Sequence, residues 1–83
     1  MDENANGIIL RVRTLTETSL IIHWFTIEHG RLGTVAKGAR RAKSPFRGKL
    51  DLLFEGEFMF RRGRRSDLHI LREVKIQQRH PVI

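Results

Sequence analysis

Hydrophobic positions in this chain recur mainly every second residue, and that period predicts strands rather than helices. Met1 to Asn6 are polar and without periodicity, so residues 1–7 read as a flexible arm. Ile8 to Arg13 alternates loosely and is rich in branched side chains, and Thr14 to Thr18 then supplies a polar turn. Ser19 to Thr26 places Leu20, Ile22 and Trp24 on one side and Ile21, His23 and Phe25 on the other. A strand apolar on both sides is expected to be buried on both. Glu28, His29 and Gly30 read as a hairpin turn with Gly30 at positive φ, and Arg31 to Lys37 as a third strand ended by Gly38.

Gly38 to Gly48 is too broken for a strand, and it predicts at most one helical turn near Ser44, with Pro45 at the first helical position. From Leu50 the alternation is cleanest. Leu50, Leu52, Phe54, Gly56, Phe58 and Phe60 face one way and Asp51, Glu55 and Glu57 the other. Gly56 in mid-strand predicts a bend or bulge. Arg61 to Ser66 reads as a turn, Leu68 to Ile76 as a fifth strand with Glu73 and Lys75 on its wet side, and residues 77–83 as a tail or the start of a further helical domain. Five strands with one long connection between the third and fourth predict an all-β chain of small α content, a five-stranded OB-fold Greek-key barrel over residues 8–76. An SH3-like barrel would share the strand count.

A chain of 83 residues holds one domain and buries only about 60–65% of its unfolded surface. The absence of Cys excludes a disulfide scaffold and a thiolate zinc site, and makes a reducing cytoplasm the expected compartment. No apolar run reaches the ~18 residues of a membrane helix. His23, His29, His69 and His80 show no metal-ligand spacing and sit in no catalytic constellation, so no enzyme activity, metal or cofactor is expected.

Charge divides unevenly. Between residues 31 and 50, Arg31, Lys37, Arg40, Arg41, Lys43, Arg47 and Lys49 face no acid at all, so the net charge of +7 is concentrated in that stretch. Guanidinium groups fork onto phosphate oxygens and Gly38 lets backbone approach closely, so Lys37 to Lys49 is the candidate nucleic-acid contact; a merely solvated loop is the competing reading. A second cluster, Arg61, Arg62, Arg64 and Arg65, crowds the turn that in OB barrels clasps an oligonucleotide. Trp24, Phe54, Phe58 and Phe60 fall at core spacing, Phe25 is the strand ring most open to exposure, and Phe46, inside the basic connection, is the candidate for base stacking. Charge alone leaves three partners open: DNA, RNA, or the acidic tail of another protein.

Three stretches carry a likeness to a known family: Phe25 to Leu32, Val35 to Ser44 with its Lys37-Gly38-Ala39-Arg40-Arg41 run, and Asp67 to Glu73. Over residues 8–76 the chain resembles the N-terminal domain of the bacterial recombination mediator RecO. The resemblance implies an OB-fold that binds single- and double-stranded DNA and promotes annealing. It further implies action with RecR and the single-strand-binding protein in loading RecA. Lys37, Arg40 and Arg41 match the family's basic motif. The chain departs from the family pattern in having Asp51-Leu52-Leu53 where a Pro is common, Ser19 where an acid is usual, and neither the helical domain nor the Cys-based zinc site. An isolated domain, a truncated relative and one product of a split gene would all give such a chain.

Overall fold

In the computed structural model, which describes residues 2–64 and 67–82, five strands form one closed barrel in the order β1-β2-β3-β5-β4. They are β1 (Asp2–Thr14), β2 (Leu20–Thr26), β3 (Gly30–Ala36), β4 (Phe54–Arg61) and β5 (Leu68–Arg79). β3 and β5 run parallel and the other neighbours antiparallel. This is the OB-like arrangement that the strand count and the long third connection predicted. No helix occurs among the described residues, so the expected α content is absent, and with it any helix long and apolar enough to cross a membrane.

Of the flexible arm expected over residues 1–7, Met1 lies outside the described residues and Asp2 to Gly7 are instead the first half of β1, where Asp2 to Ile8 pair with β4 while Gly7 to Thr14 pair with β2. A polar run forms a strand here because β4 supplies partners for its backbone groups along one side, a tertiary gain that side-chain pattern does not report. One long strand shared by two neighbours must coil. A bulge at Leu10, skipped between the Ile9–Trp24 and Arg11–His23 pairs, provides part of that turn. β4 turns at Gly56, beside a second register shift. A Cβ there would sit 2.1 Å from the Lys75 carbonyl oxygen, so only glycine allows β5 to approach this closely.

The interior is aromatic. Trp24 stacks on Phe58 at 3.9 Å between ring centroids and Phe58 leans on Phe60 at 5.7 Å. The indole N–H of Trp24 donates to Thr34 Oγ1 at 3.0 Å, and that hydroxyl donates to the Ile22 carbonyl, so both buried polar side chains are satisfied. β2 is buried on one face only. Ile22, Trp24 and Thr26 point inward, whereas Ile21 and His23 are half-buried and Phe25 is 55% exposed. A single-layer barrel has no second layer to cover the outer face, which corrects the expectation of a strand buried on both sides.

β4 begins four residues later than the alternation predicted, because Leu53 adopts φ +63°. The Leu53 N–H donates to the Ile9 carbonyl at 2.8 Å and its carbonyl accepts from His80 N–H, which holds an L-residue in a left-handed conformation worth about 1–2 kcal/mol of strain. Leu52 is consequently turned outward. β5 continues to Arg79, three residues into the expected tail, because β4 offers pairing partners as far as Phe54.

Candidate nucleic-acid interface

The connection from residue 37 to 53 is a chain of turns. Arg41 N–H donates to the Gly38 carbonyl, Ser44 N–H to Arg41, Arg47 N–H to Ser44 and Lys49 N–H to Phe46, each at 3.0–3.2 Å. Gly38 begins the series at φ +70°, a conformation glycine reaches without a Cβ penalty. The loop is also docked. Arg40 N–H donates to the Thr18 carbonyl at 3.0 Å, the Arg40 guanidinium donates to the Thr16 carbonyl at 3.1 Å, and the Arg47 guanidinium donates to the Ala42 carbonyl at 2.9 Å.

Phe46 anchors this loop. Its ring is only 6% exposed and belongs to the core, with Leu20, Ala39 and Leu50 packed against the same cluster. The expectation of Phe46 as a base-stacking ring is therefore overturned, since a ring that closes the core cannot also present its face to a base. A single Phe in a polar stretch is what such a connection has available to bury.

Around that anchor, Lys37, Arg41 and Lys43 are exposed and Lys49 half-buried, and none of the four has an ion pair among the described residues. Arg40 and Arg47 are exposed too, with part of their donor capacity spent on the loop backbone.

The second cluster behaves differently. Arg61 lies 3.3 Å from the Asp2 carboxylate, Arg62 grips Glu3 with two hydrogen bonds of 2.6 and 3.3 Å, and Arg72 approaches Asp2 at 3.8 Å. The arm expected to be free thus carries the acids that pair with the first two arginines of this turn. Arg64 is exposed; Arg65 lies outside the described residues.

Pairing shows how the two clusters relate. Val35 pairs with Ile70 and Ile70 with Arg61, so Arg61 lies two strands round the barrel from the end of β3. That is about 10 Å at ordinary strand spacing. Leu68, just after the turn, pairs with Gly33 in mid-β3. The basic loop therefore borders one end of the outer β1-β2-β3 face and the turn flanks its side.

That face carries two cations that counting charge by stretches passed over, Arg11 and Arg13, beside Arg31 and Lys37 of the basic stretch. Cross-strand rows on the outside read Arg13–Ile21–Val35, Arg11–His23–Gly33 and Ile8–Phe25–Arg31. Lys37 continues the β3 series outward. The signal was present as basic residues at alternate positions, Arg11 and Arg13, on the side of β1 away from the core. Arg11, His23, Arg31, Gly33 and Asp67 line a depression of about 480 Å³ there. Burial, then the charges of Arg13 and Arg11, hold the His23 imidazole below its ordinary pKa of 6.5. Among the described residues no group of His, Asp or Glu is arranged to hold a metal ion.

The profile of the family described as recombination protein O N terminal matches residues 1–79. Similar proteins include the DNA repair protein RecO of Rhodopirellula baltica, 53% identical over 47 residues, which cover 57% of this chain and 17% of that protein. The DNA repair protein RecO of Bifidobacterium longum subsp. infantis is 38% identical over 61 residues, 74% of this chain and 26% of that protein. The matched stretch thus spans at most about a quarter of the length of these relatives.

Proposed function

The chain belongs to the recombination protein O N-terminal family, and on that premise we propose that it is a non-enzymatic module that binds DNA, single- and double-stranded, and assists strand annealing in recombinational repair. The observation that carries this reading is the docked loop at residues 37–49, in which backbone hydrogen bonds and the buried Phe46 hold Lys37, Arg41 and Lys43 outward, with no acidic partner among the described residues. A preorganised loop of cations loses little entropy when phosphates arrive, and contacts of this kind position a protein on the backbone without reading sequence. Arg40, Arg47 and Lys49 add to the same field, while Arg61 and Arg62 join only when phosphate displaces Asp2 and Glu3. The outer face with Arg11, Arg13 and Arg31 extends the path. RecR, the single-strand-binding protein and the RecA loading step are the partners the family implies, in a bacterial cytoplasm close to the nucleoid.

Binding of a single-stranded oligonucleotide measured across salt concentrations tests the reading. Four neutralised phosphates predict a slope of log K on log[salt] of about −3. Lys37→Ala/Arg41→Ala is the informative variant, because it leaves the Arg40 hydrogen bonds that dock the loop. It should weaken binding and flatten the slope by about 1.4. A slope near zero, or unchanged binding by this variant, would overturn the backbone-contact reading. Tighter binding of RNA of matched sequence would reassign the module to RNA. Binding to an acidic peptide without nucleic-acid binding would make it a protein adaptor.

A further inference from the structure

We infer that a second copy of this chain packs on the outer face of β1 and β2, face to face about a twofold axis that runs along the strands between them. The basis is one cross-strand row. Glu55 of β4 pairs with Ile8 of β1, Ile8 with Phe25 of β2, and Phe25 with Arg31 of β3. Glu55, Phe25 and Arg31 are exposed and Ile8 is half-buried, so the row presents an acid at one end, two apolar side chains in the middle and a cation at the other end. Three strand spacings, about 14 Å, separate the two charges within one copy. Arg31 accordingly has no ion pair among the described residues. Glu55 meets His80 through Oε1 at 2.8 Å, and its Oε2 has no partner among the described residues.

Such a row is complementary to itself. The twofold sets Ile8 on Phe25 of the second copy and Glu55 against its Arg31, and does both twice, with the apolar pairs central and the ion pairs at the rim. An axis across the strands would set Glu55 on Glu55, which like charge disfavours. A depression of about 430 Å³ lies over the row and gives the second copy's side chains room; Ile8, Phe25, Ile27 and Glu55 line it with Gly7 and Gly56. Ile27 is 88% exposed, and its N–H bond to the Asn6 carbonyl holds it beside the row. Glu55 is the one charged liner, which disfavours a phosphate backbone as the cover. In the dimer Arg31 leaves the DNA path. Lys37, just past the end of β3, is about 20 Å from Arg31 along the strand, so the basic loops of both copies stay open. The pairing is independent of DNA and is tested without it.

The test is sedimentation velocity on the whole chain at low salt over a range of protein concentrations. A patch of this size makes a weak pair, so the wild type should pass from monomer to dimer at a concentration on the order of 100 μM. Arg31→Glu and Glu55→Arg should each weaken the dimer about tenfold, since each turns both ion pairs into like-charge contacts. Mixed in equal amounts, the two variants should associate again, because acid then faces cation at both ends. Phe25→Asp should abolish association. Cooperative urea transitions would establish that the variants are folded. A wild type that stays monomeric throughout would overturn the second copy as the cover and leave the patch to a partner of another kind. Dimers that tolerate Phe25→Asp or both charge reversals, or variants that fail to associate on mixing, would overturn this face as the contact.

Discussion

Asp2 and Glu3 occupy Arg61 and Arg62 at the start of the β4–β5 turn, and neutralising them tests whether that turn can contact DNA. Asp2→Asn/Glu3→Gln keeps size and backbone pairing while removing the partners of Arg61 at 3.3 Å, Arg62 at 2.6 Å and Arg72 at 3.8 Å. The participating side chains are 28–52% exposed, so each pair contributes only about 0.2–1 kcal/mol to stability, with the two-pronged Arg62–Glu3 pair near the top of that range. The barrel should therefore survive with a slightly lower urea midpoint. On a single strand each recruited arginine adds about 0.7 to the salt slope, so freeing Arg61 and Arg62 should steepen it from about −3 to about −4.4 and tighten binding most at low salt. The assay is a set of titrations between low and physiological salt on wild type and variant. A lower midpoint with unchanged affinity and unchanged slope would refute the reasoning, and would leave Arg61 and Arg62 as stabilisers of β1 with no DNA contact.

Phe46→Ala should cost about 3–5 kcal/mol, because it empties a core position that is 6% exposed, and it should release the loop; chemical denaturation together with protease cleavage between residues 37 and 53 would show both. Gly56→Ala should cost about 1–3 kcal/mol or more, since the new methyl meets the Lys75 carbonyl backbone. Gly33→Ala meets only the movable Leu68 Cδ2 at 2.9 Å and should cost less, so similar urea midpoints for the two variants would contradict the close-approach reading of Gly56. His23 and His69 both have pKa values lowered from 6.5, chiefly by burial. Their neutral forms are favoured in the fold, so stability should be level above pH 6.5 and decline as pH falls below it, where the unfolded chain binds protons first. Urea midpoints at several pH values check this, and His23→Asn should reduce the decline.

Much of the barrel was legible because half-buried strands print their geometry directly as a period of two. Trp24, Phe58 and Phe60 read as core, Gly30 as a positive-φ turn and Gly56 as a bend, and each is so. These are local requirements: a side chain either faces the interior or does not, and a glycine is either needed or not. The basic loop was legible for the same reason, since charge without a compensating acid is a property of the stretch itself.

What failed depended on distant partners. Polar residues 2–7 form a strand only because β4 stands beside them. Phe46 is buried only because its loop folds back on the core. Arg61 and Arg62 are paired only because barrel closure brings Asp2 and Glu3 beside them. The cations of the outer face, far apart along the chain, become neighbours through cross-strand register. Sequence alone determined the strand pattern, the aromatic core and the existence of a concentrated positive charge, all of which follow from local alternation and composition. Tertiary structure alone decided which of those charges are paired with acids and that the Phe46 ring is buried, because both depend on contacts between residues that only closure of the sheet brings together.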